Sequence, residues 1–178
     1  MTKLTFVGGI HPYDGKDLSK DKAIQDVLPG GEMVYPLSQH IGAPAKALVA
    51  KGDRVLMGQK IAEAGGFVSA NVYASASGTV KALEPRRVST GDMVMSIVVE
   101  NDGLYEDVGF VSRDSFEGMD REEIIGIIRE AGIVGMGGAG FPTHVKLSPK
   151  EPEKIEYVIA NCAQCEPYLT SDNRRMLE

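Results

Sequence analysis

Lys51-Gly52-Asp53-Arg54-Val55, in the middle of this chain, is one copy of a short internal repeat that indicates an all-β fold there. It recurs in outline as Thr90-Gly91-Asp92-Met93-Val94. In each copy a Gly-Asp pair stands directly before an apolar stretch, and this pair favours a tight turn into a strand. Two similar half-motifs indicate a small all-β sandwich or barrel.

Short apolar stretches separated by turn signals continue this pattern over residues 41–100. The predicted strands cover residues 47–49, 55–57, 80–83 and 94–99. The first 40 residues carry His11-Pro12 and Tyr35-Pro36, and proline disfavours a helical conformation in the residue before it. They are therefore predicted to form an extended arm with one or two short strands.

Composition excludes several classes of protein. The 178 residues are 43% hydrophobic and 25% charged, which is typical of globular proteins. The net charge of −6 argues against nucleic-acid binding, because phosphate binding needs clustered Lys and Arg. No apolar run approaches the roughly 20 residues of a membrane helix, and the first nine residues are too polar for a signal peptide. The sequence thus predicts a soluble cytoplasmic chain without direct membrane insertion.

A helix is predicted after a linker over residues 104–118. Asp120 can cap it, with Glu123 completing a capping box, and Gly132 can end it. A short apolar strand is predicted over residues 155–160. A further helix, capped by Ser171 or Asp172, is cut short by the end of the sequence, which indicates a fragment of a longer protein.

A glycine-rich run from Gly135 to Gly140 follows the predicted helix. Consecutive glycines let several backbone N–H groups point at one anion, although a flexible turn is the alternative. A dinucleotide fingerprint should follow a strand and open a helix, and a P-loop needs Gly-Lys-Ser/Thr, so neither fits. Lys146 could be a phosphate partner, or an ordinary solvated lysine.

The segment after the predicted strand carries Asn161, Gln164 and Glu166. These side chains could hydrogen-bond a heterocycle or a ribose, or simply form a polar loop. Cys162 and Cys165 make only half of a tetrahedral metal site, and the three histidines are scattered. Packed thiols and no metal site are therefore predicted.

Together these segments resemble the RnfC family, and more distantly the flavin site of the NADH-binding subunit of respiratory complex I. The resemblance covers essentially the whole chain. It is carried by Phe6-Val7-Gly8-Gly9-Ile10-His11-Pro12, Gln39-His40-Ile41-Gly42-Ala43-Pro44, the stretch from Gly132 to His144, and Cys165-Glu166-Pro167-Tyr168-Leu169-Thr170-Ser171-Asp172.

The resemblance implies a cofactor site without a catalytic side chain, since the cofactor does the redox chemistry. It implies that Phe141 stacks on the nicotinamide and that Glu166 contacts NAD(H). The residues that it places around FMN and the nucleotide also include Gly135, Gly137, Gly138, Lys146, Asn161 and Gln164.

Some residues depart from the related patterns. The related proteins of complex I carry Arg at the position of Met136, and acidic residues at those of Ala163 and Gln164. Cys162 replaces a usual glycine. The lost charge at Gln164 is expected to alter nucleotide affinity or flavin potential.

The β-rich middle resembles a barrel-sandwich hybrid, the fold of lipoyl and biotinyl carrier domains. A carrier needs a lysine at its hairpin tip, where this chain has Phe67. The resemblance thus implies a retained fold without a swinging arm. The predicted plan is mixed α+β and α/β: an arm at 1–40, the barrel-sandwich hybrid at 41–103, a linker at 104–118 and a truncated FMN/NADH-binding domain at 119–178.

The function implied is that of an electron-transfer subunit in an ion-coupled NAD:ferredoxin oxidoreductase on the inner face of the cell membrane. FMN, NAD(H) and two 4Fe-4S clusters bound beyond residue 178 are its expected cofactors. Its expected partners are the other Rnf subunits and ferredoxin, and the 178 residues alone are expected to hold no cofactor. The alternatives are a soluble flavin reductase of the cobalamin or amino-acid reductase type, and an inert docking module.

Overall fold

The computed structural model describes residues 8–10, 12–136, 140–159 and 166–178. The chain divides into two compact units. The smaller unit consists of Met1–Val27 together with Ile155–Glu178, and the larger unit is Leu28–Lys154.

Seven strands of the larger unit form two antiparallel sheets. The first sheet has four strands in the order β1-β7-β6-β3, and the second has three in the order β2-β4-β5. The strands are β1 (Glu32–Pro36), β2 (Lys46–Ala47), β3 (Arg54–Val55), β4 (Lys60–Glu63), β5 (Val72–Tyr73), β6 (Gly78–Arg87) and β7 (Met93–Asn101).

One hydrophobic core joins the two sheets. Val55, Val80 and Ile97 of the first sheet are almost completely buried in the same cluster as Ile61 of the second. β-branched side chains pack well on a pleated surface, and two sheets that share a core form a sandwich. The predicted small all-β domain is confirmed.

The two Gly-Asp repeats form the predicted turns. Gly52 has φ 96° and Gly91 has φ 93°, the left-handed region that glycine tolerates best. The Gly52 N–H donates to the Val80 carbonyl oxygen at 2.8 Å, and the Asp53 carboxylate accepts from the Ala50 N–H at 2.8 Å. Each turn leads directly into β3 or β7.

The first 40 residues contain one of the short strands that were expected there, β1. β1 pairs along its whole length with β7, from Glu32 opposite Glu100 to Pro36 opposite Ser96. It therefore belongs to the first sheet, although its partner strand lies far along the chain. A short 3-10 turn at Lys16–Leu18 is the regular structure described before β1.

Helix α1 (Arg121–Glu130) begins as predicted. The Asp120 carboxylate accepts from the Glu123 N–H at 2.8 Å, and the Glu123 carboxylate accepts from the Asp120 N–H at 3.1 Å. Gly132 follows the helix with φ 66°. The capping box thus fixes the helix that leads into the glycine-rich run.

Two shorter helices follow, α2 (Thr143–Lys146) and α3 (Ser171–Leu177). The cap of α3 is Thr170, one residue before the predicted candidates, and its side chain makes no capping hydrogen bond. α2 was not predicted, because Pro142 and a four-residue length leave no helical periodicity to detect.

The predicted strand over residues 155–160 is wrong for its described part. Residues 155–159 form no strand, and Tyr157, Val158 and Ile159 are between 81% and 93% exposed. A strand needs a hydrogen-bonded neighbour. The described part of the chain pairs no strand with this segment.

Asp102 stabilises the end of β7. Its carboxylate accepts hydrogen bonds from the Ser77 hydroxyl at 2.7 Å and the Leu104 N–H at 2.9 Å, and it pairs with Arg54 at 2.8 Å. These donors, the Ser77 hydroxyl first, hold the pKa of Asp102 below its ordinary value of 3.8. Glu32 has a lowered pKa for the same kind of reason, since Lys81 and Arg86 both donate to it.

We expect this fold to lose stability in acid, and Asp102→Asn to reduce that loss. A carboxylate with a lowered folded-state pKa contributes stability above its ordinary pKa, and the contribution disappears as pH falls through the lowered value. Urea unfolding from about pH 7 to about pH 3 should show a shallower acid decline for Asp102→Asn, which should be less stable at neutral pH. Asp114→Asn, in an exposed segment, should behave like the wild type. An unchanged acid profile for Asp102→Asn would contradict this role.

Candidate functional site

The flanks of the glycine-rich run are hydrogen-bonded to each other. The Gly135 N–H donates to the Phe141 carbonyl oxygen at 2.9 Å, and the Thr143 N–H donates to the Ile133 carbonyl oxygen at 2.9 Å. Val134 and Pro142 form an antiparallel bridge. The run is therefore a loop closed at its base. Gly137 and Gly138 lie outside the described residues.

Lys146 lies beside the start of this loop. A Cβ atom at Gly135 would lie 3.3 Å from the Lys146 Nζ, and the same Nζ is 6.0 Å from the centre of the Phe141 ring. Three of the predicted site residues are thus neighbours. Among the residues that the structure describes, no carboxylate pairs with Lys146. Its ammonium can therefore attract an anionic ligand.

Gly140 lies so close to the main chain of residues 39 and 40 that a side chain would not fit there. It has φ 61°, and a Cβ atom there would lie 2.9 Å from the Gln39 carbonyl oxygen and 3.4 Å from the His40 Cα. The loop thus passes directly over the main chain of residues 39 and 40. Sequence reasoning assigned those two residues no contact with the loop.

A cleft of about 1160 Å³ opens next to the loop. That volume is large enough for a nucleotide-sized ligand, since ligand pockets are typically about 300–1000 Å³. It is lined by apolar and polar residues of the loop, of the segment after β1 and of the β6–β7 turn, including Gly135, Gly140, Gln39, His40, Arg87 and Asp92.

Glu166 belongs to the smaller unit. Its side chain is exposed, and its carbonyl oxygen accepts a hydrogen bond from the Lys16 Nζ at 3.0 Å. The same Nζ donates to the Leu169 carbonyl oxygen at 2.8 Å. Asn161 and Gln164 lie outside the described residues.

The turn after Glu166 packs against the beginning of the chain. The Tyr168 N–H donates to the Asp14 carbonyl oxygen, and the Tyr168 ring covers Gly15, where a Cβ atom would collide with it. The Tyr13 ring meets Tyr168 edge-on at 6.2 Å between centroids. Sequence reasoning missed this role of the N-terminal residues. Asp14-Gly15 signals a turn, but no local pattern reveals a partner that lies so far along the chain.

Lys16→Met is expected to loosen the turn at residues 166–169. A charged donor to two carbonyl groups contributes more than a neutral one, and methionine keeps the length without the donors. Hydrogen exchange of the Tyr168 amide should accelerate by about tenfold, because its protection depends on local opening. Lys22→Met, on the same segment, should leave that exchange rate unchanged. Equal rates in the two variants would show that Lys16 does not hold the turn.

The described residues contain no group of three or more His, Cys, Asp or Glu side chains placed to hold a metal ion. Cys162 and Cys165 lie outside them, so the predicted absence of a metal site stays a prediction. Within the part of the chain that is described, no helix has the length and apolar character to cross a membrane.

Two known families match the chain. The RnfC barrel sandwich hybrid domain matches residues 4–104, and the Nuo51 FMN-binding domain matches residues 128–178. The first match agrees with the two-sheet fold, and the second covers the loop with Gly135, Phe141 and Lys146.

Curated relatives match almost the whole chain. The C subunit of the proton-translocating ferredoxin:NAD(+) oxidoreductase complex of Clostridium ljungdahlii is 46% identical over 98% of this chain and 38% of its own length. The C subunit of the Na(+)-translocating complex of Acetobacterium woodii is 45% identical over 97% of this chain and 39% of its length. The C subunit of the ion-translocating oxidoreductase complex of Vibrio cholerae is 39% identical over 94% of this chain and 22% of its own length. The chain thus spans well under half the length of these relatives.

Proposed function

Since the chain belongs to the RnfC family, we propose that it is part of an electron-transfer subunit of an ion-coupled ferredoxin:NAD oxidoreductase. The observation that carries the proposal is the arrangement of Gly135, Phe141 and Lys146 around a closed glycine-rich loop. The match of residues 128–178 to an FMN-binding domain supports it, as do the names of the relatives.

The residues present fit a flavin phosphate. Gly135 has no side chain between the loop backbone and the Lys146 ammonium, which would lie 3.3 Å from a Cβ atom there. Lys146 has no carboxylate partner among the described residues, so it supplies a positive charge beside the loop. On the sequence resemblance alone, Gly137, Gly138 and Asn161 are further proposed FMN contacts. Bound FMN would accept a hydride and pass on single electrons.

Phe141 and Glu166 are the proposed contacts of the nucleotide. Phe141 offers a ring face for the nicotinamide, and Glu166 offers an acceptor for ribose hydroxyls or the carboxamide, with Gln164 nearby in sequence. These side chains would bind and orient NAD(H) and would not take part in bond-making. Iron–sulfur clusters would be held by cysteines of the longer protein, outside residues 1–178.

The proposed partners are the other subunits of the complex, with ferredoxin as redox partner, and the proposed location is the cytoplasmic face of the cell membrane. Co-purification of the full-length protein with washed membranes would support this placement. Recovery of all of it in the soluble fraction, with NADH-dependent flavin reduction intact, would favour the alternative of a soluble flavin reductase.

The absorbance spectrum of the full-length protein tests the proposal most directly, because flavin and iron–sulfur bands are separable. We expect both bands, bleaching on addition of NADH, and about tenfold weaker FMN binding for Lys146→Met, as for loss of one charged contact. Lys150→Met, in an exposed position nearby, is the matched control. A full-length protein that neither contains nor binds FMN would overturn the proposal.

A further inference from the structure

The hairpin of β4 and β5 has a fixed tip. In a carrier domain this tip would bear the modified lysine, and here its connecting loop, residues 64–71, carries Phe67. The Phe67 carbonyl oxygen lies 3.0 Å from the His144 Nε2. His144 is only 2% exposed, and its ring meets the Phe67 ring edge-on at 5.9 Å.

The tautomer of His144 follows from this contact. A carbonyl oxygen can only accept a hydrogen bond, so the His144 Nε2 must carry the hydrogen. His144 is the second residue of α2, directly after Phe141-Pro142-Thr143. The bond therefore ties the exit of the glycine-rich loop to the hairpin tip.

The segment 39–44 joins the tip to the loop. The Ala43 N–H donates to the Val68 carbonyl oxygen at 3.0 Å, and the His40 Nε2 accepts from the Ala70 N–H at 3.1 Å. The same segment also lies against Gly140. The segment 39–44 therefore contacts both the hairpin tip and the glycine-rich loop.

The entry of the loop rests on the base of the hairpin. The Asn71 side-chain amide donates to the Glu130 carbonyl oxygen at 3.1 Å, and the Tyr73 hydroxyl donates to the same oxygen. Lys60 pairs with the Glu130 carboxylate, whose hydrogen bond raises the pKa of Lys60. The segments before and after the glycine-rich run are therefore both attached to one hairpin.

We propose that the β4–β5 hairpin is a rigid support for the cofactor loop, and that His144 is the positioning residue that attaches the loop to it. The inference rests on the proposed function, because it takes the glycine-rich loop as the FMN site. Without the Nε2 hydrogen bond, the segment from Gly140 to Lys146 gains freedom that FMN binding must remove again. His144 acts on the ligand through the loop and does not touch it.

The test uses the full-length protein with three substitutions. His144→Leu removes the donor and keeps an apolar side chain of similar size. His144→Gln places an amide N–H close to the position of Nε2. Ser148→Ala is the control, since the Ser148 hydroxyl donates to the His144 carbonyl oxygen at 2.8 Å and so supports the same helix without touching the hairpin.

We expect His144→Leu to weaken FMN binding by about tenfold or more, and His144→Gln and Ser148→Ala to stay within about threefold of the wild type. Hydrogen exchange at the amide of Ala70 should accelerate in His144→Leu and not in Ser148→Ala. This exchange rate can be measured without flavin, so it tests the contact between His144 and the hairpin even if the wild type does not bind FMN. A wild type that does not bind FMN would contradict the proposed function and not this contact. Unchanged FMN affinity in His144→Leu, or failure of His144→Gln to restore it, would overturn the positioning role.

Discussion

Replacing Gly42 with alanine is expected to lower the free energy of unfolding by roughly 2–5 kcal/mol, from a strained backbone angle and a steric overlap together. Gly42 has φ 103°, a conformation that residues with a side chain rarely adopt. A Cβ atom there would overlap the Val68 carbonyl oxygen, which accepts the Ala43 hydrogen bond. The substitution thus opens the contact between the segment 39–44 and the hairpin tip.

Gly52→Ala is the matched control. Gly52 has nearly the same conformation, with φ 96°, but a Cβ atom there would meet nothing within 4 Å. Only the conformational cost of about 1–2 kcal/mol should remain. Urea unfolding of both variants separates backbone strain from the steric overlap. Equal losses of unfolding free energy in the two variants would show that the hairpin tip moves aside at little cost and does not hold the segment 39–44 rigidly.

Glu166→Gln in the full-length protein is expected to reduce NADH affinity by roughly ten- to a hundredfold while leaving flavin content near that of the wild type. A charged acceptor contributes about 1.5–3 kcal/mol, and each 1.4 kcal/mol is a factor of ten. Glutamine keeps the shape and weakens the acceptor. The main-chain bond from Lys16 to the Glu166 carbonyl oxygen should survive, so the turn itself should remain.

The competing explanation is that Glu166 only orders its loop next to Pro167 and Tyr168. Flavin stoichiometry and the NADH dissociation constant, measured on one preparation, separate the two. Lost flavin with unchanged NADH affinity per remaining flavin would make Glu166 a supporting residue. Glu156→Gln, at an exposed position of the same unit, should change neither quantity.

Local patterns predicted the elements whose stabilising contacts are local. The capping box of Asp120 and Glu123 and the turns at Gly52 and Gly91 are set by neighbours within a few residues. The pairing of β1 with β7 left no local signal, because the two strands lie far apart along the chain. The strand predicted at residues 155–159 was wrong for the opposite reason. The stretch is apolar, but it has no strand partner among the described residues and is irregular and exposed.

In the candidate site, too, the local features could be predicted from the sequence and the long-range contacts could not. The glycine-rich motif and Lys146 are visible in the sequence, and their proximity follows from a loop of a few residues. The contact between His144 and Phe67 joins residues 77 positions apart, and the bond from Lys16 to Glu166 joins residues 150 apart. Contacts between such distant residues follow from the whole fold and leave no periodic pattern in a single sequence.

The outer edge of the four-stranded sheet has a consequence for association between copies of the chain. The Leu37 N–H donates inward to the Met95 carbonyl oxygen, so the alternating geometry of an antiparallel pair turns Pro36 outward, where proline offers no donor. The opposite edge, β3, is only two residues long. Neither border gives an incoming strand a long row of free main-chain groups, which protects the domain against edge-to-edge aggregation in a crowded cell.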